Sequence, residues 1–365
     1  MSCAIQLGRV GHSVILFEKE TYPFHKVCGE YISLESWNHL LQLGVPLNEM
    51  GLPLIDTLFL TAPNGASFTT ALPLGGFGIS RYKLEHHLLA LAKQSGVRVL
   101  EGAKVEGVDF RKDFTVTFAS RLKGEEAIAA KICCGAFGKR SNLDLKWKRS
   151  FLHHQDKKLD NYVGIKYHVL ASWKENVIGL HNFKNGYCGI SKIEGDRHCL
   201  CYMTRAENLR SCHNDVTELE RTILGQNPHL KKIFSECQKL EGFPLSIAQI
   251  NFQEKKQIEQ HVLMLGDAAG TITPLCGNGM SMALHTAKIA AGLVTQFLNG
   301  RLDRAQIEQQ YTLQWQHHFA PRLQAGRTLQ NFLGSPTLSN LLVGWFNAFP
   351  FLAKPVIRRT HGNPF

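Results

Sequence analysis

Hydrophobic positions change period several times along the chain, and each change marks an element. Cys3, Ala4, Ile5 and Leu7 predict a short helix, Gly11 a turn, and residues 13–17 a buried strand that ends on Glu18. That sequence is the back half of a βαβ unit. In a dinucleotide-binding unit a first strand and a Gly-x-Gly-x-x-Gly turn precede such a helix, and an acidic residue closing the second strand takes ribose hydroxyls. Here the helix comes first, so the expectation is a mis-assigned start or a shortened chain.

A turn-rich segment over 22–33 leads to a helix reaching about Leu43, then to strands at 57–60 and 67–70 around the turn Pro63, Asn64, Gly65. Leu84, Leu88, Leu91 and Ala92 line one face of a helix that stops at Gly96, and strands follow at 97–100, 104–110, 115–118 and 127–134. From about 160 to 253 the pattern is strand-rich (163–169, 176–180, 187–193, 198–203, 246–252), with one helical interval at 214–238. A buried strand, HVLMLGD, and a helix over 279–298 come next; beyond Gly300 the chain reads as helix broken by Pro321, Pro336, Pro350 and Pro355. The predicted fold class is mixed α/β. A Rossmann-type domain lacking its first strand spans 1–50, 75–148 and 255–300, an antiparallel-sheet substrate domain is inserted at 51–74 and 149–254, and a helical region covers 301–365.

Composition narrows the class. With 44% hydrophobic and 19% charged residues the chain is neither disordered nor collagen-like. A net charge of +11 calls for an anionic partner. The excess is scattered (Lys139, Arg140, Lys146, Lys148, Arg149, Lys157, Lys158) and lacks interleaved aromatics, which speaks against nucleic acid. Ten spread cysteines read as reduced and the protein as cytoplasmic, with Cys199 and Cys201 sharing one face of a buried strand. The adjacent histidine pairs His86 with His87, His153 with His154, and His317 with His318 make no metal pattern. No apolar run reaches the ~20 residues that span a bilayer.

The segment 262–287, VLMLGDAAGTITPLCGNGMSMALHTA, carries the strongest chemical signal. Its strand ends on Gly266 and Asp267, a carboxylate to which a ribityl or ribose hydroxyl can donate, while Ala268, Ala269 and Gly270 let a cofactor lie on the backbone. After Pro274, the run Gly277, Asn278, Gly279, Met280 opens a helix whose N–H groups face an anionic atom. This segment resembles the flavin motif of the para-hydroxybenzoate-hydroxylase-fold superfamily, in particular its geranylgeranyl-reductase-like branch. SRYKLEHHLL resembles that family's Arg-x-x-Leu helix, and CCGAFGKRSNL its Gly-Ala-x-Gly-x-x-Ser turn (Gly135, Ala136, Gly138, Ser141), with Phe137 where many hydroxylases carry Asp. FHKVCGEYIS resembles the Lys-x-Cys-Gly-Glu loop of the reductase-like branch.

The resemblance implies a glutathione-reductase-like FAD-binding domain, with FAD as cofactor and NAD(P)H as electron donor. It places Arg81 beside the ribityl chain and the loop of Lys26, Cys28 and Gly29 across the isoalloxazine. Glu18, with Lys19 after it, is a ribose ligand or a plain strand end; Arg81 read alone could be a surface arginine; Cys28 is a redox or catalytic thiol or a packing residue at the flavin face. Tyr187, the other catalytic candidate, falls where the prenyl reductases carry a substrate motif, from which Gly189 and Ser191 depart by replacing large groups. The halogenase motif Trp-x-Trp-x-Ile-Pro is absent. The expected activity is reduction of a C=C bond in a lipophilic, isoprenoid- or polyketide-like substrate; the alternatives are aromatic or lipid monooxygenation, or a non-catalytic binding protein. Lacking a pyrophosphate cradle, the chain as written is expected to purify with little flavin. The tail carrying Leu341, Trp345, Phe349 and Phe351, with Lys354, Arg358 and Arg359 beyond, reads as an interfacial helix in peripheral membrane contact or as a lid on the substrate domain.

Overall fold

A computed structural model describes residues 1–120, 124–152, 161–273 and 277–365. Pro274, Cys276, His153, His154, Lys157 and Lys158 lie outside the described residues. The first body begins with helix α1 (Ser2–Arg9) and strand β1 (Ile15–Glu18), joined through Gly11 at φ +84°. Strand β2 (Tyr31–Ser33), helix α2 (Trp37–Gln42) and the long hairpin β3 (Leu54–Thr61) and β4 (Ser67–Gly78) follow. Helix α3 (Arg81–Gln94) starts where Ser80 accepts a hydrogen bond from the Lys83 amide, and Gly96 at φ +76° turns the chain into β5 (Arg98–Glu101). A three-stranded meander, β6 (Ala103–Phe110), β7 (Phe114–Ser120) and β8 (Gly124–Ala130), precedes the short β9 (Cys134–Gly135) and helix α4 (Asn142–Lys146).

The next stretch builds the sheet: β10 (Tyr162–Leu170), β11 (Val177–Phe183), β12 (Gly186–Lys192) and β13 (His198–Arg205). The helical interval expected at 214–238 begins earlier, with α5 (Ala206–Ser211), and within those bounds holds two short helices, α6 (Val216–Thr222) and α7 (Pro228–Glu236), because Asp215 and Asn227 cap new starts. Strands β14 (Gln238–Lys239), β15 (Leu245–Ile250), β16 (Ile258–Glu259) and β17 (Val262–Met264) lead to helix α8 (Gly279–Leu298). The chain closes with α9 (Arg304–Leu333), α10 (Pro336–Ala348) and α11 (Ala353–Thr360).

Nine strands form one sheet in the order β14, β10, β13, β12, β11, β3, β4, β2, with β15 also on β10. Two expectations are corrected here. The sheet is not purely antiparallel, since β11 pairs with β3 in parallel from Val177 against Thr57 to His181 against Thr61. It also takes in Tyr31–Ser33 and runs to Gly78, past the expected boundaries of 51–74, because Gly76, Phe77 and Gly78 continue the ladder onto β2. A third correction concerns Pro321, which lies inside α9 without breaking it; Phe319 and Leu323 on either side are buried, and their packing holds the helix through the lost hydrogen bond.

One face of the sheet is closed by α5 to α7 over Val163, Ile165, Tyr167 and Val169. The other carries Tyr162, Tyr187 and Met203 and is met by Val343 and Phe346 of α10 and Ala353 of α11. In the first body β1 pairs with β5, and β9 with β17, all in parallel. Among the described residues no strand joins these two small sheets, and residues of both β1 and β9 line one cavity.

Candidate active site

That cavity, about 1850 Å³, runs from the small parallel sheets to the open face of the large one. It exceeds the roughly 300–1,000 Å³ of a single small-ligand pocket. One end is bounded by Glu18, Gly138, Gly266, Asp267, Gly277 and Gly279. Its far end is apolar, walled by Leu58, Leu60, Phe68, Leu180, Tyr187 and Phe346. Arg81, Lys26, Cys28 and Gly29 line it as well.

The strand-turn-helix after β17 exposes its backbone where the sequence put glycine. Gly266 has φ +55° with Ala283 behind it, and Gly277 has φ +64° with the Tyr31 ring where a Cβ would go, so a side chain fits at neither. Asp267 lines the cavity, and among the described residues its carboxylate makes no hydrogen bond or ion pair. Gly279 and Met280 open α8 against the cavity. Ala268 and Gly270 do not line it: Ala268 is buried in the core, and Gly270 lets Trp315 and Leu323 of α9 close in. Asn278 is buried too, and its side-chain amide donates to the carbonyl of Thr360 in α11. Pro274 lies outside the described residues.

Two cations hold this turn from behind, Arg149, which the sequence left among scattered charge, and Lys255, which it did not single out. Arg149, 1% exposed, donates to the carbonyl of Ala268 at 3.1 Å and pairs with Asp144 at 2.9 Å. Lys255 donates to the carbonyl of Asp267 at 2.8 Å and to that of Lys139 at 3.1 Å; burial pushes its ammonium down to about 8, against the pull of Asp267. Their burial, which pattern alone does not reveal, made them invisible in the sequence.

The loop of Lys26, Cys28 and Gly29 is stitched to three elements. Lys166 of β10 donates to the carbonyl of Lys26 at 3.1 Å, and the Cys199 thiol of β13 donates to the carbonyl of Cys28 at 3.2 Å. Glu30, wholly buried at φ +55°, accepts from Lys166 at 2.5 Å, from His168 at 2.6 Å and from the Arg81 amide at 2.8 Å. Burial opposes its charge, yet the His168 hydrogen bond and the Lys166 ammonium hold its carboxyl below the ordinary value. Glu30 thus acts as the anchor of a loop that presents Cys28 to the cavity. His25, Glu30 and His168 bring ligand atoms within 4.8 Å of one another, but the Lys166 ammonium on Glu30 competes with any ion there.

Arg81 begins α3 and pairs with Glu85, which also meets Lys26 at 3.1 Å. Burial works against its charge; Glu85 and the Cys28 side chain raise its pKa above the ordinary value, so it stays cationic. Glu18 sits at the end of β1 as expected, but its oxygens accept from the Glu20 amide at 3.1 Å and the Tyr22 hydroxyl at 3.0 Å. Lys19 is exposed and faces Glu20 at 3.7 Å. Gly138 turns at φ +80° with open space where a Cβ would go, and Ser141 caps α4 in a capping box with Asp144. Tyr187 is buried on β12, opposite Met203, and lines the apolar end. Cys199 and Cys201 do share the strand face toward this site, and the nine described cysteines are free thiols.

The residues present fit a dinucleotide flavin: bare backbone at Gly266 and Gly277, an open carboxylate at Asp267, a helix start at Gly279 and fixed positive charge at Arg81. This is the fold of the FAD-dependent oxidoreductases of the para-hydroxybenzoate hydroxylase and geranylgeranyl reductase kind, as the motifs implied. A triple mutant of the flavin-dependent brominase Bmp2 superposes with a TM-score of 0.81 at 17% identity, covering 99% of this chain and 91% of that one. A geranylgeranyl bacteriochlorophyll reductase-like protein of Thermoplasma acidophilum gives 0.75 at 16% identity, covering 94% and 87%. In sequence the chain is 22% identical over 287 residues to the digeranylgeranylglycerophospholipid reductase of Methanococcus vannielii, covering 74% of this chain and 68% of the relative. It is also 23% identical over 350 residues to the conditioned medium factor receptor 1 of Dictyostelium discoideum, covering 90% and 67%. No family model matches.

Proposed function

We propose that the protein is an FAD-dependent reductase that uses NAD(P)H to reduce a C=C bond in a lipophilic, isoprenoid- or polyketide-like compound. The observation carrying this reading is the continuity of one cavity from the Asp267 turn, past Cys28 and Arg81, to an apolar end large enough for a second ligand. When bound, FAD supplies hydride chemistry. The chain's own residues supply the rest. Asp267, Gly277 and Gly279 hold the cofactor side, Arg81 and Lys26 offset negative charge, and Leu58, Leu180 and Phe346 desolvate the substrate. Cys28 lines the cavity from its loop and Tyr187 from the apolar end, and either can hand over the proton that accompanies a hydride. Similarity to an isoprenoid lipid reductase supports the substrate class.

Two other readings have an observation behind them. Fold likeness to flavin halogenases and monooxygenases favours oxygen chemistry, and similarity to a protein named as a receptor favours binding without turnover. The test is strictly anaerobic NAD(P)H oxidation by the FAD-supplied protein in the presence of a polyprenyl alkene. Persisting substrate-dependent turnover supports reduction; turnover that needs oxygen establishes the monooxygenase; flavin that neither binds nor is reduced leaves the binding protein. Asp267→Asn is expected to weaken FAD binding by roughly tenfold or more, the value of a hydrogen bond to a charged group, read by fluorescence titration.

A further inference from the structure

Helix α10 is apolar on two sides at once. Its inner side, Val343 and Phe346, is buried against the large sheet. Its outer side, Leu338, Leu341 and Trp345, recurs at helical spacing and stands in solvent, with Trp345 63% exposed. Phe349 and Phe351 continue the surface, the latter 68% exposed. Every strongly exposed Phe or Trp among the described residues lies between Phe332 and Phe351. A concentration of this kind, on a surface whose other described Phe and Trp side chains are not strongly exposed, marks an interaction face.

Charge says what covers it. Lys354, Arg358 and Arg359 are exposed on α11, directly after the aromatic turn. Although 30 of the 365 residues are acidic, none lies beyond Glu308. Among the described residues no helix is long and apolar enough to cross a membrane. An aromatic face bordered by basic residues, and without acidic ones, matches a helix lying in the interfacial plane, with rings at headgroup depth and cations on anionic headgroups.

We propose that α10 and α11 form a docking face for an anionic lipid bilayer. The occupant is the bilayer surface; a second copy of this chain would have to bring acidic groups to the same face, which holds none. The inner side of the same helices (Leu342, Phe346, Val356, Ile357) walls the apolar end of the cavity, so the lipid-facing and cavity-facing surfaces are one helix apart. Docking uses none of the cavity-lining residues and does not depend on the flavin reading.

The experiment is co-sedimentation of the full chain with vesicles of phosphatidylcholine alone and of phosphatidylcholine doped with phosphatidylglycerol, together with quenching of tryptophan fluorescence by brominated lipid. Wild type is expected to prefer the anionic vesicles by roughly a hundredfold, about what three headgroup-level cations provide. Trp345→Ser with Phe351→Ser should abolish sedimentation and quenching while leaving the melting temperature unchanged, since both side chains are exposed. Lys354→Ser with Arg358→Ser and Arg359→Ser should remove the anionic preference alone. Equal binding to both vesicles, or none, overturns the proposal. So does a wild-type dimer in solution that becomes a monomer on Trp345→Ser with Phe351→Ser and ignores vesicles.

Discussion

The two faces of strand β10 carry opposite kinds of residue for opposite purposes. Val163, Ile165, Tyr167 and Val169 point toward α5 to α7 and make an apolar core, whereas Gly164, Lys166 and His168 alternate with them toward the cavity. Both faces are buried. The packed face derives its stability from apolar area, and the cavity face from a charge network centred on Glu30. A buried ion pair contributes little net stability beyond a well-packed apolar pair, but removing one partner strands the other. The cavity face therefore holds position more than it adds stability.

The largest effect expected from this contrast is at Lys166. Lys166→Met should destabilise by about 3 kcal/mol, because it takes the ammonium from a buried carboxylate and leaves Glu30 only His168 and the Arg81 amide, as measured by urea unfolding. Combining it with Glu30→Gln should recover a large part of the loss. If each single change costs under about 1 kcal/mol, the loop is not held by charge.

Two glycines sharpen the comparison at a smaller scale. On the packed side a Cβ at Gly179 would come within 2.6 Å of Trp173 and 2.8 Å of Ile190, so Gly179→Ala should cost about 1–3 kcal/mol as an overpacked site. On the cavity side a Cβ at Gly189 meets nothing nearer than 3.8 Å, so Gly189→Ala should be neutral or stabilising by about 0.5–1 kcal/mol. Thermal unfolding of the two variants side by side decides it; equal losses would erase the distinction.

At neutral pH the smallest effect is that of a pH-dependent group on the packed side, which shows only on acidification. His181, buried between Thr61 and His229, has its pKa pushed down to about 3, by burial first and by His229 second. Below about pH 6.5 the unfolded chain takes up a proton that the folded chain refuses. Stability from this residue is complete above pH 6.5 and is lost as pH falls toward 3, by at most about 1.4 kcal/mol per pH unit. His181→Gln should flatten that slope in urea titrations run from pH 7 to about pH 5; an unchanged slope would place the proton elsewhere.

The turn after β17 and the start of α3 were legible because their requirements are local. Gly266 and Gly277 both sit at positive φ, and Arg81 opens a helix at the cavity wall. What stayed hidden was sidedness and pairing. In YVGIKYHVL the alternation predicts a strand but not that Lys166 and His168 are buried on Glu30, a partner more than a hundred residues away. The parallel pairing of β3 with β11 was equally unreadable, since alternation fixes which side chains share a face but not which strand lies alongside. Arg149 looked like surplus charge and Lys255 drew no reading, because only tertiary structure shows that they hold turn carbonyls.

The hydrogen bond from Asn278 to Thr360 ties the first turn of α8 to the last residue of α11. One strut thus spans the glycine-lined start of α8 and the helix that bears Arg358 and Arg359. Thr360 at the end of α11 and the glycines Gly277 and Gly279 therefore border the same cavity. The Asn278 amide is not the sole link, since beyond α11 the Phe365 ring stacks on His285 of α8 at 4.2 Å, so the outer helix and the interior one are joined at more than one point.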